Sequence, residues 1–158
     1  MSSYRYAQDT SVSSYQSRAE IERSLARYGA TSFAYASKDR EARIMFEIGA
    51  RQMLFVLPMP DRSSNEFWLT PATRKRRSDS AAEQAYEQAV RQRWRALALV
   101  IKAKLEAVQS GITTIEDEFL AHIVIPGTNG MTVGQYTLPK IAEAYSLGRL
   151  PELTAGHQ

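Results

Sequence analysis

Cysteine is absent from all 158 residues, which removes disulfides, thiolate zinc sites, iron–sulfur clusters and cysteine nucleophiles together. Long apolar runs are missing too. The longest, Ala96 to Ile101, is far short of the ~20 residues that a membrane-spanning helix requires. No basic segment followed by an apolar stretch opens the chain, so no secretory signal is expected, and a reducing cytoplasm is the expected setting. Histidine is scarce, with His122 and His157 the only two. The eight glycines stand singly, so the glycine–lysine–serine run of a phosphate-binding loop does not occur. There is no internal repeat.

What is present describes a soluble domain. Hydrophobic residues make up 44% and charged residues 23%, and a chain of this length buries roughly two-thirds of its unfolded surface. Residues 1–16 mix Ser2, Ser3, Ser11, Ser13 and Ser14 with Tyr4, Tyr6 and Tyr15 without periodicity and read as a disordered tail. A single α+β domain is expected over residues 17–153, with a second short tail at 154–158.

Periodicity orders that domain. Ser17 and Glu20 have capping-box spacing, Ile21, Leu25 and Tyr28 share a helical face, and Gly29 marks the end of a first helix. The period then becomes two. Phe33 and Tyr35 alternate in a first strand, Lys38-Asp39-Arg40 turns, and Ala42, Ile44, Phe46 and Ile48 point one way from a second strand. Gly49-Ala50 turns again, and Met53 to Leu57 form a strand apolar on both faces that Pro58 and Pro60 stop. Three strands with short turns predict an antiparallel meander covered by helices. Phe67, Trp68 and Leu69 are expected to tuck onto the core or to add a short fourth strand.

Ser80 and Glu83 supply another capping box, and Gly111 closes a helix of about thirty residues whose stripe is Tyr86, Val90, Trp94, Leu97, Ile101, Leu105 and Val108. This long amphipathic helix is predicted to pack across the sheet. Thr113 and Glu116 repeat the pattern before a short acidic helix with Ile115, Phe119 and Ile123 inward. Pro126 to Gly130 reads as the tip of a small hairpin between Ile123–Ile125 and Met131–Val133. A last short helix includes Ile141 and Tyr145, ends at Gly148, and is limited at its start by Pro139.

Catalytic arrangements are not visible. His122 has Glu118 four residues before it, but neither a nucleophile nor a recognisable motif accompanies them. The Glu116-Asp117-Glu118 carboxylates point in different directions around a helix and suit its dipole better than a metal ion. Pro60-Asp61 lacks the acid-x-lysine pair that a nuclease strand would add. The chain therefore reads as non-enzymatic, with no metal and no cofactor implied.

Charge is the informative feature. The net charge is only +3, yet residues 74–104 hold nine basic side chains against three acidic ones, a local +6 that leaves the remainder at −3. Arg74, Lys75, Arg76 and Arg77 form a basic loop, whose order is not visible in sequence. At about 100° per residue, Arg91, Arg95 and Lys102 project within about 40° of one another beside the apolar stripe, and Arg93 and Lys104 lie on its other flank. Such cations, left wet and facing outward, are what backbone phosphates require. Trp68 and Trp94 are expected in the core and not as base-stacking platforms.

The run Arg76 to Val108 (RRSDSAAEQAYEQAVRQRWRALALVIKAKLEAV), with Glu116 to Ile125 (EDEFLAHIVI) and Thr132-Val133-Gly134-Gln135, resembles a group of small uncharacterised proteins encoded by bacteriophages and prophages. That resemblance implies a host-cytoplasm setting and a role in phage biology, and carries no site residues. The order helix, three strands, long helix is also similar to the core of phage single-strand annealing proteins, a topological analogy. The leading expectation is a phosphate-contacting DNA- or RNA-binding protein acting through Arg74, Lys75, Arg76, Arg77, Arg91, Arg95 and Lys102. The alternative is an interaction protein that binds and inhibits or redirects a host protein, such as a defence component. A homo-oligomeric phage assembly component is a third reading, and no membrane partner is expected.

Overall fold

A computed structural model describes residues 14–38 and 40–149; residues 1–13 of the expected 1–16 tail, the expected tail at 154–158 and Asp39 of the first turn lie outside them. Ser14 is buried and Tyr15 and Gln16 open a helix, so the expected tail is too long by three residues. Helix α1 spans Tyr15–Ala26, strands β1, β2 and β3 span Thr31–Lys38, Glu41–Ile48 and Arg51–Pro58, and a short helix α2 covers Asn65–Trp68. Helix α3 spans Asp79–Gln109, α4 Ile115–Glu118, a 3₁₀ turn Leu120–His122, and α5 Val133–Leu147. The α+β architecture is the expected one.

The strands lie in the order β1-β2-β3, all antiparallel. Opposite partners Ile44 and Phe55, and Phe46 and Met53, bring the large residues of β2 and β3 to one face, where all four are at most 4% exposed. A slip of one residue would turn these four outward, so burial fixes the register. Ile48 pairs with Arg51 across Gly49 and Ala50, whose φ values of 57° and 59° are both positive. That pair of angles is a type I′ turn, whose twist matches the strands it joins. β3 gains a partial fourth neighbour: Ile123 bridges Met53, and the Val124 amide donates to the Gln52 carbonyl at 2.8 Å.

α1 and α3 pack side by side over this face. Ile21 and Leu25 of α1 and Val90, Trp94, Leu97, Ala98, Ile101 and Leu105 of α3 are buried with Phe46, Phe55 and Phe119 in one cluster. Arg18 of α1 holds its guanidinium 5.4 Å from the Tyr35 ring and 5.9 Å from the Trp94 ring, a cation–π bridge from helix to sheet to helix. Burial, reinforced by Glu22, holds the Tyr35 phenol far above its ordinary pKa.

Several boundaries differ from the sequence reading. α1 starts at Tyr15 after Ser14, not after Ser17, because the turn holding Tyr15 and Gln16 adds backbone bonds ahead of the buried face. Ser78, not Ser80, caps α3 by accepting the Ala81 amide, and Thr114, not Thr113, caps α4 by accepting the Asp117 amide. Pro139 does not delimit α5 but lies inside it. Thr132 and Gln135 form a reciprocal capping box that nucleates the helix before the proline is reached. Phe67 and Trp68 belong to α2 and not to a strand, and Phe67 is buried edge-on against Tyr86, 5.5 Å between ring centres. The hairpin at 123–133 is present, with Val124 bridging Thr132 and the Ile125 amide donating to the Met131 carbonyl.

Candidate nucleic-acid interface

The seven cations singled out by sequence fall into two places. Arg74, Lys75, Arg76 and Arg77 precede α3 beside α2; Arg91, Arg95 and Lys102 run along α3 itself.

The loop is held by hydrogen bonds of its own. The Thr70 amide donates to the Lys75 carbonyl at 2.8 Å and the Arg77 amide to the Trp68 carbonyl at 2.7 Å, while the Lys75 amide donates to Thr70 Oγ1. These bonds close a hairpin around Arg74, whose φ is 52°. Two of its four cations contact their own scaffold. Arg77 Nη1 donates to the carbonyls of Glu66 and Phe67, neutralising acceptors at the end of a four-residue helix that has no turns left to use them. Arg76 lies over the Trp68 ring at 5.4 Å, and the Trp68 indole N–H donates to the Arg62 carbonyl. Arg74, Lys75 and Arg76 are exposed, and only Arg77 is partly covered.

On α3, the two flanks behave oppositely. Arg93 donates to the Pro58 carbonyl at 2.8 Å. Lys104 is largely covered, and its ammonium donates to the Glu118 carbonyl and to Glu118 Oε1, both at 3.1 Å. Both fasten α3 to its neighbours, to β3 and to α4, although Arg93 stays exposed and only Lys104 is drawn out of the solvent. The carboxylate of Glu118 is spent on Lys104 and does not orient His122. The His122 ring instead stacks on Phe55 with 3.8 Å between centres, and burial, opposed by a hydrogen bond with the Leu54 backbone, lowers its pKa.

Arg91, Arg95 and Lys102 are exposed, and among the described residues none of them forms an ion pair. Ala98 on the same flank is buried, so this side of α3 borders the α1 contact. A groove of about 350 Å³ opens there between the two helices, with Arg27 and Tyr28 on the α1 side and Lys102, Glu106 and Gln109 on the α3 side. Tyr28 Oη donates to Gln109 Oε1 at 2.8 Å and closes one end. Arg27, which sequence reasoning read as one of several charges on a solvated α1 face, thus stands across the groove from Lys102. Its only sequence signal was its position one residue before Tyr28 of the buried stripe.

A second basic hollow, at Lys38, Arg40, Glu41 and Arg43, is different in kind. Arg40 pairs with Asp61 at 3.2 Å and Arg43 with Glu41 at 2.8 Å, so its charge is largely cancelled. Hydrogen bonds from Ser63 hold the Asp61 carboxyl below its ordinary range. Among the described residues no group of three or more histidine or acidic side chains converges as a metal site, and no helix is long and apolar enough to cross a membrane. No protein-family model, no curated protein and no solved structure matches this chain.

Proposed function

We propose that this chain is a non-enzymatic nucleic-acid-binding protein that contacts backbone phosphates through the α1–α3 face. The observation that carries the reading is the row Arg91, Arg95, Lys102. It is exposed, without an ion-pair partner among the described residues, on a helix whose other two cations are both engaged. From Arg91 to Lys102 the row rises eleven residue steps, ~16 Å at 1.5 Å per residue, or about five nucleotide steps of one strand. Arg27 extends it across the groove, and Arg74 and Lys75 add free charge near the start of α3. Arg76 and Arg77 serve the loop first. Nothing in this face reads base edges, so binding should be insensitive to sequence and steeply dependent on salt. The resemblance to small phage-encoded proteins suggests the setting, the cytoplasm of an infected host.

Fluorescence anisotropy tests this with labelled single-stranded DNA, duplex DNA and RNA at about 50 and about 200 mM salt. The full chain is expected to bind at the lower salt, and a variant with Arg91, Arg95 and Lys102 changed to alanine to lose about one unit of salt slope per phosphate contact removed. Absence of binding to all three ligands at low salt overturns the reading.

A further inference from the structure

Helix α5 is apolar, and among the described residues little covers it. No residue of α5 is buried, although Leu138, Ile141 and Tyr145 are 64%, 45% and 86% exposed. At its start Gly134 lies against the 3₁₀ turn so closely that a Cβ there would sit 2.9 Å from the Ala121 carbonyl oxygen. Beyond that contact the helix overhangs, with Leu120 on the turn also 51% exposed. Isolated helices of fifteen residues are marginal in water, so an apolar helix held at one end gains most from a second surface.

We propose that this surface is covered by a second copy of the chain, with the two α5 helices antiparallel about Ile141. The spacing Leu138, Ile141, Tyr145 is three then four residues, the 3.5-residue period of a helix–helix seam, while Gly134 is taken up by the chain's own Ala121. It reads almost the same in both directions from Ile141. An antiparallel copy therefore sets Ile141 beside Ile141 and each Leu138 beside the other copy's Tyr145, the self-complementary contact that a two-fold axis demands.

Charge points to the same occupant. α5 carries only Lys140 and Glu143, which cancel and lie about 100° or more away from the seam, while the chain's positive excess is concentrated in residues 74–104. Here two like-charged copies can approach without repulsion. Beside the seam stand Thr137, Ala142 and Ala144, small and neutral, permitting close approach. Leu138, Ile141 and Tyr145 expose roughly 400 Å² per copy, about half of the ~800 Å² per partner that a stable interface buries.

Absence of native cysteine makes the test clean. Light scattering on the full chain should give the dimer mass at about 100 µM, and Ile141→Glu should weaken association at least about ten-fold with an unchanged circular dichroism spectrum. Mild oxidation of Ile141→Cys should then yield a disulfide-linked dimer, because residues facing across a two-fold axis come within the ~4.4–6.8 Å Cα separation a disulfide needs. Lys140→Cys, one position off the seam, should not. A monomer mass at that concentration overturns the proposal. So does a dimer indifferent to Ile141→Glu, or equal cross-linking at the two cysteine positions; capture of a different protein by α5 with the chain itself monomeric does so as well.

Discussion

Ala50 sits at φ 59° in a two-residue turn, where a Cβ meets the carbonyl that glycine would avoid. Ala50→Gly is therefore expected to stabilise the fold by about 0.5–1 kcal/mol, and Ala50→Asn by a similar amount, read from urea midpoints at unchanged m-value. Gly49 beside it tolerates no such trade, since its φ of 57° is met at no cost as it stands. His122 is the other residue whose chemistry the fold has altered. Its pKa is lowered chiefly by burial, so the neutral ring is favoured in the folded state and protonation opposes folding. The contribution is fully present above the ordinary histidine pKa near 6.5 and is lost as pH falls below it toward the folded value. Melting temperature should fall by at most a few degrees between about pH 7.5 and about pH 5.5, and His122→Gln should flatten that slope. An unchanged slope in His122→Gln would assign it to other groups.

At the level of elements, the helix starts show how a correct motif can be placed on the wrong residue. Serine or threonine three residues before an acidic side chain predicts a cap, and three helices here offer two hydroxyls close together: Ser78 and Ser80, Thr113 and Thr114, Ser14 and Ser17. For α3 and α4 the choice depends on which residue leaves the helix with extended dihedrals, as Ser78 does at φ −62°, ψ 159°, whereas Ser14 before α1 keeps helical dihedrals. Ser78→Ala should cost about 1 kcal/mol and Ser80→Ala only a few tenths, measured by chemical denaturation. Glu83, the acidic residue of the expected box, is drawn instead to Arg62 at 3.1 Å. The strands were far more legible, because Ile44, Phe46 and Ile48 leave one register that buries them. Gly134 makes a third case. Gly134→Ala would drive a Cβ into the Ala121 carbonyl, loosening α5 while the sheet and α3 persist, and hydrogen exchange should quicken across Val133–Leu147 but not across α3.

Across the whole molecule, the positive charge separates into cations that build the protein and cations left over. Arg77, Arg93 and Lys104 each hold carbonyl oxygens of neighbouring elements. Arg77→Ala should thus lower stability by about 1–3 kcal/mol, the cost of unpaired acceptors, with little change in nucleic-acid affinity. Combined substitution of Arg91, Arg95 and Lys102 should do the reverse, leaving the melting temperature nearly unchanged and removing salt-dependent binding. Equal effects of the two variants on binding would mean that the loop and the helix form one footprint.

The sequence by itself determined the α+β order, the register of the meander, the face that α3 buries and the absence of cysteine chemistry. Each follows from side-chain periodicity or composition, which are properties of neighbouring residues along one element. Tertiary structure alone decided which cations are free, that Arg27 meets Lys102 across a groove, that Arg77 braces α2, and that α5 stands with its apolar side exposed. Those outcomes depend on which elements come to lie side by side. A charged or apolar side chain carries the same local signal whether or not a partner waits for it in space.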